Sequence, residues 1–484
     1  MNLEEKLRQL RRAAEKSSAD RELERQLEWL RRRSASPLER PLPSKRVAWG
    51  IEHYVEGRLE QNVVGEYFVA RQSLPFGRPY GKVRVADVCA ADLSALELFL
   101  QESVLPGPSE LVYLDTETTG LAGGTGTCAF LIGLGMIEGA DFVVRQFFLR
   151  DYPDEKAILA ALAQTLSAYK GLVTFNGKTF DLPLLETRYA LARQRSPFGR
   201  MVHLDLLHPA RRLWKLRLES CQLTHLEREV LSMSRKGDVP GSEIPGIYFD
   251  YLRTGDARGL QPVFYHNALD IVTLAALTAE LARVISAEAN MGDSGPVPGC
   301  VHGLDLFSLS RIFERAGNTE RSLSVCRRAL DSGLPTTFEP RALWHLARQH
   351  KRRGEYDQAV EVWKEIARRQ ADWFVEALEQ LAIHAEHRRR DANAAIQFTE
   401  KALAWLSDNV PLRPEDGRRE WNRPVDPGRR SHVERFTYRL ERLKRKAVRS
   451  VVGAGLSLPL TPTEDSSPLP LRKSGAKRRR AVNN

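Results

Sequence analysis

Two acidic residues stand one residue apart at the end of an apolar run, Leu111-Val112-Tyr113-Leu114-Asp115-Thr116-Glu117-Thr118-Thr119-Gly120. In an extended strand, residues i and i+2 point to the same face. Asp115 and Glu117 are therefore expected to project together from the end of a buried strand. Two like charges a few ångströms apart are costly unless a cation sits between them. A hard divalent ion such as Mg2+ or Mn2+, held by carboxylate oxygens, is the usual solution. An Asp-x-Glu pair after a strand is often only a solvated turn, so the rest of the chain must decide.

Two later segments bear on the choice. Leu172-Val173-Thr174-Phe175-Asn176-Gly177-Lys178-Thr179-Phe180-Asp181 reads as a short strand, a turn at Asn176-Gly177 and a helix entered at Asp181. Asp181 is either the N-cap of that helix or a third acid of a site. In Tyr265-His266-Asn267-Ala268-Leu269-Asp270, on a helical pattern, His266 and Asp270 are four residues apart and share one face. They are either a surface pair or part of the same constellation.

As an ordered set, Asp-x-Glu on a strand, Asn-Gly-x-x-Phe-Asp at a helix start and His-x-x-x-Asp on a late helix resemble the DEDD (DnaQ-like) 3′→5′ exonuclease superfamily. Residues 109–285 are most similar to the YprB-type RNase H-like domain, with His203–His208, Leu218–Leu223 and Asp238–Pro245 as supporting segments. The resemblance implies an α/β RNase H-like fold and two-metal phosphodiester hydrolysis, with ions roughly 3.5–4 Å apart. By the same resemblance Asp115, Glu117, Asp181 and Asp270 hold two Mg2+ or Mn2+ ions, Asp115 as the bridging ligand. His266 is the expected general base, since imidazole titrates near neutral pH. Here the chain departs from the two common patterns, which place His five or Tyr four residues before the last Asp. It has Tyr265 at minus five and His266 at minus four, so Tyr265 is held in reserve as the base.

The elements that must position these groups follow in order. The pattern predicts strands at Leu111–Leu114, Thr127–Ile137, Phe142–Leu149 and Leu172–Phe175. Helices are predicted over Glu155–Tyr169, Asp181–Arg195 and Gln261–Ile285. Three strands in hairpin order followed by βαβ units fit a mixed sheet flanked by helices. The run Gly120-Leu121-Ala122-Gly123-Gly124-Thr125-Gly126-Thr127 is not a P-loop, since no Gly-Lys-Ser/Thr follows. It is either a flexible hairpin or a loop whose backbone meets a terminal nucleotide. Asp205 reads as a helix N-cap or an auxiliary acid. Arg211, Arg212, Trp214, Lys215 and Arg217 read as a solvated helix face or a patch for phosphate contact and base stacking.

At 484 residues the chain should hold more than one domain. Residues 1–34 form a charged helical pattern. Residues 35–108 are a linker followed by short strand-like runs such as Val63–Ala70 and Val83–Val88, and 286–302 are a Gly/Pro-rich linker. Within 303–408, Ser322-Leu323, Ala359-Val360 and Ala395-Ile396 recur at offsets of 37 and 36 residues. This resembles tetratricopeptide (TPR) repeats, without their full Trp/Leu/Gly/Tyr pattern, and implies an all-α array with a protein partner. Residues 429–484 carry fifteen Lys and Arg against four Asp and Glu, which is the whole of the +11 net charge. A largely disordered basic tail over 409–484 is expected, attracting phosphate backbones, with a helix at 429–449 marked by Val433, Phe436, Leu440 and Leu443. Five scattered cysteines argue against a zinc site or disulfide framework and for the cytoplasm. No apolar stretch is long enough for a membrane span, and a membrane partner is not expected.

The leading expectation is a metal-dependent 3′→5′ exonuclease acting on DNA or RNA, single-stranded or at 3′ ends. The alternative is a weakly active or inactive RNase H-like module that binds nucleic acid while its repeats recruit a partner. A third possibility is an endonuclease or resolvase-like nuclease on the same fold.

Overall fold

The structure, a computed structural model, describes residues 50–100, 103–120, 126–290, 302–370, 372–408 and 427–454. The expectations for residues 1–34, for the linker at 35–45, for 121–125 of the glycine-rich run, for 291–301 of the second linker and for the tail at 409–426 and beyond 454 lie outside the described residues. Two compact units are present.

Among the described residues, the first unit draws on 50–94, 103–120, 126–207 and 222–280. Its centre is a mixed sheet of seven strands in the order β1-β2-β7-β6-β5-β8-β9. These are β1 (Gly57–Gln61), β2 (Glu66–Pro75), β5 (Leu111–Thr118), β6 (Ala129–Glu138), β7 (Asp141–Phe148), β8 (Gly171–Thr174) and β9 (Val202–Asp205). A separate two-stranded ribbon joins β3 (Pro79–Tyr80) to β4 (Val83–Arg84). The pairs β5–β8 and β8–β9 are parallel and the others antiparallel. Parallel neighbours need crossovers. Helices α1 (Glu155–Leu166) and α2 (Asp181–Ala192) supply them. Leu111, Val112, Tyr113 and Leu114 are fully buried, as a strand covered on both faces requires.

The structure corrects several expectations. Of the strand-like runs in 46–105, whose role the sequence leaves open, β2 pairs with β7 along Phe68↔Phe148 to Pro75↔Asp141 and extends the sheet. Val83–Val88 is not one strand. It is the two residues of β4 and then a helical turn, Asp87–Ala90, with Asp87 Oδ2 accepting from the Arg84 amide at 2.9 Å. Helices α1 and α2 end three residues earlier than expected, α2 at Arg193 in the left-handed region (φ 59°). After α3 (Leu207–Trp214), α4 (Leu223–Glu229) and α5 (Ile244–Thr254) comes the long α6 (Gln261–Asn290), which runs five residues past its expected end.

Packing of α6 on the sheet depends on one glycine. A Cβ at Gly133 of β6 would lie 2.2 Å from Asn267 Oδ1 of α6. Without it, Asn267 reaches the strands, accepting from Gln146 Nε2 of β7 at 2.9 Å and donating to Asp115 Oδ2 of β5 at 2.9 Å. On α5, Tyr248 stacks on Phe130 with ring centroids 4.0 Å apart and donates to the Leu149 carbonyl at 2.9 Å.

The second unit is mostly helical and takes in residues 95–101, 208–221 and the chain from 281 onward. Its helices are α7 (Gly303–Arg315), α8 (Thr319–Asp331), α9 (Glu339–Arg352), α10 (Tyr356–Arg369), α11 (Phe374–His384), α12 (Ala392–Asp408) and α13 (Pro427–Ala454). Ser322, Ala359 and Ala395 are each the fourth residue of the second helix in a pair, and each is fully buried. Five residues before each stands a left-handed turn residue: Gly317 (φ 78°), Gly354 (φ 77°) and Arg390 (φ 55°). The 37- and 36-residue offsets are thus a structural register of helical hairpins, each with a small residue where the helices approach. The expected basic helix is present as α13. It packs through Phe436 among residues of α9 to α12, while Leu443 clusters with Ala385 and Ala395. Trp214 is buried and cannot stack on a base, and Arg217 pairs with Asp305 at 2.7 Å.

Candidate active site

The C-terminal half of β5 carries Asp115 and Glu117 into the first unit's site, after four apolar residues have anchored the strand. Asp181 is the first residue of α2 and does not cap it. Its Oδ1 accepts from Thr116 Oγ1 of β5 at 2.5 Å, which ties the helix start to the strand. The turn before Asp181 is fixed by Asp205 at the end of β9. Its carboxylate accepts from the amides of Asn176 (2.7 Å) and Lys178 (3.1 Å) and from the Leu207 amide at the start of α3 (3.1 Å). Asp205 is therefore a brace and a cap, not an auxiliary acid. Asn176 sits at φ 66°, which Asn tolerates better than most residues.

Helix α6 supplies His266, Asn267 and Asp270. Ligand atoms of Glu117, His266 and Asp270 all lie within 4.8 Å of one another. The His266 Nε2 atom is 3.5 Å from Asp270 Oδ2 and 3.9 Å from Glu117 Oε1. These three side chains keep 12–14% exposure, enough for a small ion or water to reach them. Tyr265 is 42% exposed.

The electrostatics show what the site lacks. Burial holds the Asp115 carboxyl well above its ordinary range, and the negative fields of Asp270, Asp181 and Glu117 add to this. Burial raises Glu117 in the same way, aided by Asp270, Asp181 and Asp238. Asp181 is pushed up to about 6 by burial, against the hydrogen bond from Thr116. Burial also raises Asp270, although Arg235 and His266 pull it down. Four carboxyls that resist ionising together form a donor set matched to divalent cations. Glu117, His266 and Asp270 therefore fit such an ion, and Asp115 and Asp181 lie outside that cluster but close enough to act on its charge.

Two further residues belong to this site and were given no role by the sequence: Asp238, which opens the Asp238–Pro245 segment quoted for the resemblance, and Arg235, which lies outside every quoted motif. Arg235, in the loop after α4, is 7% exposed. It binds Glu227 through two nitrogens at 2.6 Å, Asp238 Oδ2 at 3.0 Å, and Asp270 Oδ1. Glu227 is itself buried and accepts from Thr273 Oγ1 and from Tyr80 at 3.2 Å. Asp238 contacts His266 Nδ1 at 2.8 and 3.0 Å. The available sequence signal was an acid in a turn-like Lys236-Gly237-Asp238-Val239-Pro240-Gly241 run. It gave no hint that the loop folds back onto α6.

A profile of the RNase_H superfamily, that of RNase_H_2, matches residues 112–282, from the second residue of β5 into α6. The chain is also 29% identical over 343 residues to the uncharacterized protein YprB of Bacillus subtilis strain 168, covering 70% of this chain and 75% of that protein. With the mixed sheet and its flanking helices, these matches identify the region as an RNase H-like domain.

Proposed function

We propose that the chain is a metal-dependent nuclease, a 3′→5′ exonuclease hydrolysing phosphodiesters of DNA or RNA. The observation that supports this is the cluster of Glu117 from β5 with His266 and Asp270 from α6, beside which Asp115 and Asp181 lie near enough for their charge to raise the neighbouring carboxyls. Two Mg2+ or Mn2+ ions, when bound, would neutralise this charge and polarise the phosphodiester. Asp115, Glu117, Asp181 and Asp270 hold the ions in this reading. His266 Nε2 accepts the proton of the attacking water. The water oxygen forms the new bond to phosphorus, the P–O3′ bond breaks, the leaving oxygen takes a proton from solvent water, and His266 returns its proton to solvent. The 3′→5′ polarity rests on the family likeness.

We assign this activity to residues 109–285 and a partner-binding role to the TPR-like hairpins of 303–408. The tail at 409–484 adds non-specific attraction to phosphate backbones. Cys89, Cys128, Cys221 and Cys326 are free thiols, consistent with work in the cytoplasm. No described helix is long and apolar enough to cross a membrane. One observation favours the second reading, a weakly active nucleic-acid-binding module: Arg235 already engages Asp270. The test is a panel of linear and circular DNA and RNA with Mg2+ or Mn2+, run on the full chain and on Asp115→Asn. Metal-dependent shortening of linear strands from the 3′ end, lost in the variant, supports the nuclease. Binding without cleavage supports the module, and cleavage of circles indicates an endonuclease.

A further inference from the structure

We propose that Asp238 is a positioning residue of this site: it accepts a hydrogen bond from the Nδ1–H of His266, fixes the ring's tautomer, and aims the Nε2 lone pair into the space between Glu117 and Asp270. The proposal rests on the reading above only for the task it gives to Nε2. Its geometric basis is independent of that reading.

The hydrogen-bond inventory of Asp238 decides the direction of the contact. Its Oδ1 accepts from the Val239 amide at 2.9 Å and lies 2.8 Å from His266 Nδ1, while its Oδ2 accepts from Arg235 Nη1 at 3.0 Å. A carboxylate facing an amide and a guanidinium is an acceptor. The imidazole must therefore donate through Nδ1, and the neutral ring then carries its lone pair on Nε2. That nitrogen faces Asp270 Oδ2 at 3.5 Å and Glu117 Oε1 at 3.9 Å. The Nε2 lone pair and two carboxyl oxygens converge there, and with the carboxyls ionised the space suits a cation or the proton of a water. A ring held the other way round would donate from Nε2 to a carboxylate and close that space.

The anchoring of Asp238 is built for a fixed position. Arg235 grips Asp238 and Asp270 with one guanidinium and is itself held bidentately by the buried Glu227. A planar fork shared by three carboxylates sets their separation more tightly than a point charge would. The loop that carries Asp238 is thereby tied both to α4 and to α6. A carboxylate behind a functional imidazole commonly matters by 10–100-fold in affinity or activity.

The experiment uses the full chain with 15N-labelled histidine, and the His266 resonances are assigned by their loss in His266→Gln. In the metal-free protein the ring nitrogen shifts should report Nδ1–H with an unprotonated Nε2. In Asp238→Ala they should move toward the Nε2–H form that imidazoles prefer in water. Asp238→Asn, whose amide oxygen can still accept, should retain the tautomer and serves as the variant if Asp238→Ala does not fold. With Mn2+ and a labelled oligonucleotide, Asp238→Ala should lower kcat by about 10–100-fold at unchanged KM, with partial recovery in Asp238→Asn. An Nε2–H tautomer in the unsubstituted protein, or a tautomer and rate unmoved by Asp238→Ala, would overturn the proposal. The expected tautomer in a chain without nuclease activity would instead refute the proposed function and leave the positioning role standing.

Discussion

Replacing Gly133 with alanine tests how the helix that carries half the site is seated. The new Cβ would lie 2.2 Å from Asn267 Oδ1, 2.9 Å from its Cγ and 3.1 Å from its Nδ2. No real Cβ tolerates the first distance, and the obstacle is a short side chain held at both ends by Gln146 and Asp115. Asn267 must leave its place, or α6 must lift from β6. Overpacking of this kind costs about 1–3 kcal/mol. At about 2–4 °C per kcal/mol for a domain of this size, the thermal midpoint should fall by roughly 2–12 °C. Asn267→Ala alone removes the partner of one Gln146 amide hydrogen, while the other still reaches the Phe264 carbonyl, and of one Asp115 oxygen, at about 1–3 kcal/mol. If the strain of Gly133→Ala runs through Asn267, the double variant should be little less stable than Asn267→Ala alone, a coupling of about 1–3 kcal/mol. Circular dichroism melts of the four proteins in EDTA measure it. Additive losses, or a Gly133→Ala protein as stable as the original, would refute the reasoning that this glycine seats α6.

Three further outcomes follow from the same contacts. The site carboxyls are raised above their ordinary values, Asp181 to about 6, so their contribution to stability is present below the unfolded carboxylate range and lost as pH rises through the folded values. Stabilisation by Mn2+, read as the shift in urea midpoint against EDTA, should therefore be larger at pH 8 than at pH 5. An equal shift at both would count against a charge-driven metal site. Arg390 is exposed and stands in the left-handed position that Gly317 and Gly354 fill in the other hairpins. Arg390→Gly should stabilise the second unit by about 0.5–1 kcal/mol, seen as a higher thermal midpoint. Phe436 of α13 is 1% exposed in the core of the helical array. Phe436→Ala should cost about 3–5 kcal/mol and make the segment after residue 427 susceptible to limited proteolysis, whereas Tyr438→Ala, on an exposed face, should do neither.

The chain's sequence alone was enough to give the strand ending in Asp115 and Glu117, the helix entered near Asp181 and the helix bearing His266 and Asp270. In each case a local period or turn residue makes the element, and the side-chain direction follows from it. The 37- and 36-residue offsets likewise became a register, because a small buried residue and a left-handed turn are local needs repeated in each hairpin. The membership of β1 and β2 in the sheet was not legible, since pairing of β2 with β7 joins residues more than sixty positions apart and leaves no mark in either strand. Asp181 looked like a helix cap because Asp is a good cap. Only the approach of β5 gave its carboxylate Thr116 as a partner. Trp214 looked available for stacking because a sequence shows aromatic character but not the side on which the chain closes over it. Arg235 and Asp238 are the clearest case. Asp238 opens a segment that supports the resemblance, but no role for it or for Arg235 is legible there, and their meaning comes from a loop folding back so that one guanidinium reaches Glu227, Asp238 and Asp270 at once. The sequence determined that Asp115 shares a face with Glu117 and His266 with Asp270, because the period of a strand or a helix fixes this, while the resemblance alone joined these pairs with Asp181. The tertiary structure decided how they are held and which way the histidine faces, because those depend on contacts between segments that the chain keeps far apart.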